Sequence, residues 1–261
     1  MNESAIIRAT DLHKSFANQN NSQKILDHIS FAIHRGEIVS LLGPSGCGKS
    51  TLLNIIGGFI KPDEGKVLFA DKPVERPSRN CVMLFQHYGL LPWRSVIKNV
   101  EFGLEELPLS AKERRERALN YLRMVGLEDK IDLFPRQLSG GMQQRVAIAR
   151  ALVTQPELIL MDEPFGALDT FNRYYLQDEL LRIQEKEKTT IIFVTHDIDE
   201  AIYLSDRIFI MQPNPGKIRK ELKIGTAKPR DRSHDDFQYF RKAIFAEFHF
   251  SRPVETIEYI I

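Results

Sequence analysis

Along the chain, short runs of apolar, β-branched residues alternate with stretches whose apolar positions recur at helical intervals. The runs Glu37–Leu42, Lys66–Ala70, Cys81–Phe85, Leu158–Met161, Ile191–Val194 and Arg207–Met211 predict strands. Those at 38–42, 158–161 and 191–194 are apolar without alternation, the pattern of strands buried on both faces of a parallel sheet. Between them, Ser110 and Glu113 stand at capping-box spacing ahead of Ala118, Leu119, Leu122 and Val125, which recur at helical intervals. Val146–Leu152 and Phe171–Lys188 predict two further helices, and Asp197 with Glu200 repeats the capping-box spacing just after the 191–194 strand. Strands alternating with helices predict an α/β architecture with right-handed crossovers. Residues 86–154 carry almost no strand pattern, which predicts a helical insertion in the sheet domain. Asn18–Gln23 (NQNNSQ) reads as a polar loop and Gln212–Gly216 (QPNPG) as a turn that closes the core. Beyond it, Phe237, Phe240, Ile244 and Phe248 share one helical face, so the tail is expected to pack back as a small helix.

Composition narrows the picture mainly by exclusion. The 261 residues are ample for a substantial core, and no repeat or low-complexity tract interrupts them. Lys and Arg total 36 against 35 Asp and Glu, a net charge of +1, so no global field draws nucleic acid or an anionic membrane. The basic stretch Lys112–Arg123 is interleaved with Glu113 and Glu116 and reads as a solvated helix face, so no nucleic-acid partner is expected. Cys47 and Cys81 provide neither a disulfide framework nor a CxxC pair, which fits a reducing cytoplasm. The longest apolar run, Leu52–Ile60, is nine residues with Asn54 and two glycines inside it, well short of the roughly 20 needed to span a bilayer. The opening MNESAIIRATD has neither a basic region nor an apolar stretch, so no secretory signal is expected. Service at a membrane would be that of a peripheral subunit.

Chemistry enters at residues 43–50, GPSGCGKS, which match G-x-x-x-x-G-K-[ST] between the 37–42 strand and the helical run from Thr51. Gly43, Gly46 and Gly48 allow the backbone to turn consecutive N–H groups inward as an anion-binding nest around Pro44, Ser45 and Cys47, and the helix start adds its positive dipole end. Lys49 can then reach the β- and γ-phosphates and the Ser50 hydroxyl can ligate Mg²⁺. Cys47, inside the loop, is expected to be shielded from thiol reagents by bound nucleotide. A second half follows at Leu158–Glu163 (LILMDE): Asp162, at the tip of a buried strand, is placed for Mg²⁺, and Glu163 can polarise an attacking water as general base. Kinases, helicases and small GTPases share these two elements.

Residues 138–145, LSGGMQQR, narrow the class. Here the chain resembles the ATP-binding cassette (ABC) ATPase family, whose signature is LSGGQ-like, with Met142 where the commonest form has glutamine. Ser139, Gly140 and Gly141 at a helix N-terminus make a second anion site. The resemblance implies a P-loop NTPase (RecA-like) core with an antiparallel β subdomain and a helical insertion subdomain, and it implies ATP with Mg²⁺ as ligands. It further implies that Gln86 senses the metal and the attacking water, that His196 contacts the γ-phosphate, and that adenine stacks on Phe16 of DLHKSF. Asp169, in GALD, matches a loop that crosses the interface of a head-to-tail dimer, in which one copy's 43–50 nest and its twin's Ser139–Gly141 enclose the same triphosphate. The match spans roughly residues 5–215, divided into a core of 5–85 and 155–215 and a helical part of about 86–154, with 216–261 as a short C-terminal extension.

Hydrolysis must be coupled to something. Tyr88, Leu90, Leu91, Pro92 and Trp93 form an apolar cluster just past Gln86, suited to gripping a short helix of a transmembrane permease. LLPW followed by V-x-x-N-V, with DEPFGALD, looks like the importer ATPases of the nitrate, sulfonate and taurine group. Such a subunit would lie on the cytoplasmic face of the membrane, and an extracytoplasmic solute-binding protein would act on it only indirectly. Too little chain follows residue 215 for the large regulatory domain of sugar-type importers. The alternative is a soluble ABC ATPase acting on nucleic acid or ribosomes. Sulfonate, taurine, nitrate and pyrimidine precursors are all compatible cargoes.

Overall fold

A computed structural model of the chain describes residues 5–18, 21–85, 88–166 and 168–249. Its centre is a six-stranded sheet. Strands β3 (Ile38–Leu42), β6 (Cys81–Leu84), β7 (Leu158–Asp162), β8 (Thr190–Thr195) and β9 (Arg207–Gln212) are mutually parallel, and β10 (Lys217–Lys223) closes one edge antiparallel to β9. The strand order is β10-β9-β3-β8-β7-β6. Five of the six expected strands form the parallel part of this sheet to within one residue of their expected bounds, although the unalternating pattern of a buried parallel strand marks only three of them. Gln212–Gly216 does turn the chain, but into the further strand β10 rather than out of the core.

The sheet separates two apolar clusters, and the period-2 alternation of strand side chains decides which residue joins which. Ile159, Met161, Ile191, Phe193, Ile208 and Ile210 face one cluster, while their neighbours Leu158, Leu160, Ile192, Val194, Phe209 and Met211 face the other. Both faces are therefore dry, which is why these strands lack polar alternation. On the first face lie α2 (Val96–Phe102), α3 (Ala111–Met124), α4 (Gly140–Leu152), α5 (Thr170–Glu187), α6 (Ile198–Leu204) and α7 (Asp235–His249). Among the described residues of 88–154 there are helices and no strand, as the insertion predicts. Helix α7 buries Phe237 and Ile244 and packs Phe240 and Phe248 against the same cluster.

On the second face lie α1 (Lys49–Ile56) and a four-stranded antiparallel sheet, ordered β2-β1-β4-β5, of β1 (Ala5–Asn18), β2 (Asn21–His34), β4 (Glu64–Phe69) and β5 (Lys72–Pro73). The expected polar loop over 18–23 is largely strand: Phe16 pairs with Gln23, Ala17 with Ser22 and Asn18 with Asn21, so the hairpin runs almost to its tip. Cross-strand backbone pairing, blind to the polarity of exposed side chains, carries the ladder through that segment.

Helix starts follow their caps. The Ser110 hydroxyl accepts from the Glu113 amide at 3.2 Å while the Ser110 amide donates to the Glu113 carboxylate at 2.7 Å, a complete capping box. At α6 only half of the expected box forms: Asp197 accepts from the amides of Asp199 and Glu200, but the Glu200 carboxylate turns inward to the Thr195 hydroxyl at 2.7 Å. Replacing Ser110 by Ala should cost about 1 kcal/mol of stability, read as a lower urea midpoint at unchanged slope; an unmoved midpoint would show that the box does not hold α3 in place.

Candidate active site

The loop leaving β3 climbs over the sheet edge and enters α1. Gly43 needs no special backbone angle, contrary to expectation; a Cβ there would sit 2.7 Å from the Met211 carbonyl and 2.8 Å from the Cys47 sulfur, so its role is close approach. Gly48 takes φ +92° and caps α1, and a Cβ on it would strike Leu26 at 2.6 Å. No side chain caps α1 and no acidic residue stands in its first turn, so the positive end of the helix dipole faces the loop uncompensated. Lys49 is buried, with its ammonium donating to the carbonyls of Gly43 at 2.8 Å and Pro44 at 2.9 Å. Pro44, Ser45 and Gly46 form the exposed rim of the loop, and Thr51 follows in the first turn of α1. Cys47 is fully buried against the second apolar cluster and burial raises its thiol pKa, so its shielding comes from the core and not from a nucleotide, which corrects the expectation for thiol reagents.

Adjacent strand tips bring the second half to this loop. The Ser50 hydroxyl donates to Asp162 at 3.0 Å. Burial raises the Asp162 pKa, the Ser50 hydrogen bond opposes that, and the neighbouring Glu163 charge adds to it. Two hard oxygen donors at this separation, one of them a carboxylate whose charge a cation would stabilise, fit Mg²⁺. Glu163 stands at φ +47°, a strained angle for a non-glycine residue, with its amide donating to the Val194 carbonyl at 3.1 Å. That strain turns its carboxylate towards His196, whose Nδ1 lies 3.3 Å away. A cavity of about 40 Å³ lies between Glu163, Arg173, His196 and Glu200, enough for a water molecule.

Other expected residues lie elsewhere on the surface. Ser139 caps α4, accepting from the Met142 amide at 3.3 Å; Ser139 and Gly140 are exposed, Gly141 is buried beside Asn172, and this helix start also has no acidic residue. Asp169 caps α5 through the Asn172 amide. Phe16 is 43% exposed on β1 with the Lys14 ammonium 5.4 Å from its ring centroid, an aromatic face open for stacking. Gln86 lies outside the described residues.

The structure also reveals residues that the sequence pattern did not single out. Asn99, fully buried in α2, accepts from the Leu91 amide at 2.8 Å and directs its Nδ2 at the carbonyls of Leu91, Arg94 and Ser95 within 3.1 Å, clamping the LLPWRS segment. Arg150, on α4, donates to the carbonyls of Gly89 and Tyr88 at 2.7 and 2.9 Å and so ties the same segment to the helix that Ser139 caps. Within the apolar cluster Trp93 is 71% exposed, whereas Leu90 turns in to pack on the core. Glu200, behind His196, is buried beside Arg173 and Thr195, and burial pushes its carboxyl up to about 7. The one legible signal for Glu200 was its cap spacing; its inward turn depends on the tertiary fold.

A glycine-rich loop between a strand and a helix of a doubly covered parallel sheet, with carboxylates at a neighbouring strand tip, is the arrangement of the P-loop nucleotide-binding proteins. Residues 26–166 match the ABC transporter family. The chain is 50% identical over 238 residues to an uncharacterized ABC transporter ATP-binding protein of Methanocaldococcus jannaschii, covering 91% of this chain and 89% of that one. It is 42% identical over 250 residues to the aliphatic sulfonates import ATP-binding protein SsuB of Bacillus cereus, covering 96% and 98%. Two dimeric structures of a bacterial ABC transporter cassette superpose with TM-scores of 0.76 and 0.74 at 35% identity, covering 85% of this chain and all of that one; one is a post-hydrolysis state bound to ADP and Pi. The chain belongs to the ABC transporter family as an ATP-binding subunit, and it is an ABC-type ATPase. Among the described residues no helix is long and apolar enough to cross a membrane.

The raised Glu200 pKa has a stability consequence. From about 4.5 to about 7 the folded state keeps the Glu200 proton that the unfolded state releases, so the contribution of this group to stability falls with rising pH across that window, by on the order of 3 kcal/mol, and is constant outside it. Glu200→Gln should remove that component in urea melts taken from pH 4.5 to 8. An identical pH slope in the variant would place the titration elsewhere.

Proposed function

We propose that this chain is the ATP-hydrolysing subunit of an importer, working on the cytoplasmic face of the membrane as a peripheral, head-to-tail pair that drives transmembrane permease subunits. The observation that carries the reading is the single sheet edge at which the Gly43–Ser50 loop, the Ser50–Asp162 pair and the Glu163–His196 pair meet. In this reading the loop amides and the α1 dipole receive the β- and γ-phosphates of ATP, Lys49 exchanges its carbonyl contacts for phosphate oxygens, and Phe16 stacks the adenine. Ser50 and Asp162, with Gln86, hold Mg²⁺, which when bound neutralises charge on the transferring phosphoryl group. Glu163 takes the proton of the attacking water, and His196 orients Glu163 and meets the γ-phosphate. The α4 start, with Ser139 and Gly140 exposed and no acidic residue in its first turn, supplies the far wall of the partner copy's site; the dimeric state of ABC cassettes of the same fold supports a pairing of two copies.

Coupling to the permease rests on the Tyr88–Trp93 segment. It is anchored to α4 by Arg150 and to α2 by Asn99, so movement of the Ser139 helix start during closure is passed to the exposed Trp93. The cargo class is sulfonate, taurine or nitrate-like, supported by the relative named for aliphatic sulfonates, with a solute-binding protein acting through the permease. Stimulation of ATP hydrolysis in the reconstituted complex by loaded binding proteins of each class tests that assignment; stimulation only by an unrelated solute class would replace it.

Glu163→Gln should bind ATP normally while hydrolysis falls by roughly 10²–10⁴-fold, the range a general base contributes, and ATP-bound dimer should accumulate on size-exclusion chromatography. Turnover at the unsubstituted rate would remove Glu163 from that role. Replacing Trp93 and Leu91 together by Ala should weaken co-purification with the permease at unchanged ATP affinity. Undiminished co-purification would move the docking surface away from this segment.

A further inference from the structure

Two opposed β-bulges gather three metal-ligating side chains on the antiparallel sheet. Between Ala9–Phe31 and Leu12–Ile29 strand β1 carries an extra residue, and between Leu12–Ile29 and Lys14–Leu26 strand β2 carries one. Asp11 and His28 sit in these bulges at φ +47° and +52°. Room for the first bulge comes from β4, where Gly65 lies so close that a Cβ would be 2.2 Å from the Asp11 carbonyl. The bulges aim Asp11 and His28 at His13, and one ligand atom from each of the three lies within 4.8 Å of the others.

Both imidazoles converge on one Asp11 oxygen, and a second carboxylate stands behind His13. Lys217 and Lys24, at 2.8 and 2.9 Å, hold the Asp27 carboxyl well below the usual carboxylate range. His13 Nδ1 lies 3.1 Å from Asp27. His13 Nε2 lies 3.2 Å from an Asp11 oxygen, and His28 Nδ1 lies 2.7 Å from the same oxygen. We propose that Asp11, His13 and His28 form a binding site for a divalent transition-metal ion of the Zn²⁺ class, with Asp27 orienting His13 from behind. Imidazole nitrogen and carboxylate oxygen suit such an ion, whose tetrahedral ligands at 2.0–2.1 Å stand about 3.3 Å apart; here the two nitrogens stand 3.2 and 2.7 Å from the shared Asp11 oxygen, and the three ligand atoms lie within 4.8 Å of one another. The carboxylate–histidine pair is the usual support of a histidine ligand. Asp11 and His28 are more than half exposed, which leaves the remaining coordination positions open to water.

The test is calorimetric titration of the full, nucleotide-free chain with Zn²⁺, paired with visible spectra of its Co²⁺ form. One saturable ion per chain is expected. His28→Ala should weaken it at least tenfold while ATP hydrolysis without added Zn²⁺ is unchanged, and Asp27→Asn should weaken it by roughly 10–100-fold. Absence of saturable uptake, or an isotherm that neither substitution alters, would overturn the site. So would nitrogen NMR spectra showing His13 protonated on both nitrogens in the presence of saturating Zn²⁺, since a proton would then occupy the place assigned to the metal.

Discussion

The site depends on the hydrogen-bonded register of the parallel sheet. Leu42 at the end of β3 pairs with Thr195 at the end of β8, and Asp162 at the end of β7 pairs with Val194. The residues that follow these ends are Gly43, His196 and Glu163. Register therefore delivers the phosphate loop, the histidine and the carboxylates to one line along the sheet edge. A slip of one residue would exchange the two side-chain faces of a strand and put its members into the wrong apolar cluster. Burial on both faces thus enforces the alignment, and the phosphate loop is seated on the same core through Cys47, which is buried in the second apolar cluster.

A second level of organisation ties that edge to the helical side. Helix α4 begins at Ser139 and carries Arg150 two to three turns later, which holds the backbone of Tyr88 and Gly89. Asn99 then fixes the following segment by contacts to main-chain atoms only, so the path from α4 to Trp93 consists of a rigid helix, a guanidinium and an amide. Main-chain anchoring preserves the shape of the segment whatever its side chains are. Trp93 meanwhile stays 71% exposed.

Contiguous chemistry was legible in the sequence, and chemistry assembled from distant segments was not. GPSGCGKS, LILMDE and LSGGMQQR each carry their own strand or helix context, so their places followed from local pattern. Asn99, Arg150 and Glu200 act through partners 8, 61 and 5 positions away, and no spacing rule links them. The β1–β2 hairpin was hidden for a different reason. Its bulges break the alternation, leaving buried positions at Ile7, Ala9 and Leu12 on one strand and at Leu26, Ile29 and Ile33 on the other. The second set has the three- and four-residue steps of a helix, so periodicity alone argued against a strand that tertiary pairing nonetheless made.

Electrostatic compensation separates carboxylates that hold the fold from those that face the reaction. Lys14 beside Asp63 and the Ser110 hydroxyl and amide beside Glu113 keep those acids below their ordinary pKa, so each charge is already stabilised within the chain. Asp162 differs. Its hydrogen-bond donor is the neutral Ser50 hydroxyl, burial raises its pKa, and Glu163 presses a second negative charge against it. Lys49 offsets part of the cost of holding that charge, and added positive charge would relieve more of it. The uncompensated N-terminus of α1 makes the complementary demand for an anion a few residues away. A metal-bound polyphosphate satisfies both demands at once, whereas a free cation or a free anion satisfies one, and this difference is a physical reason for the edge to favour the complex over either of its parts.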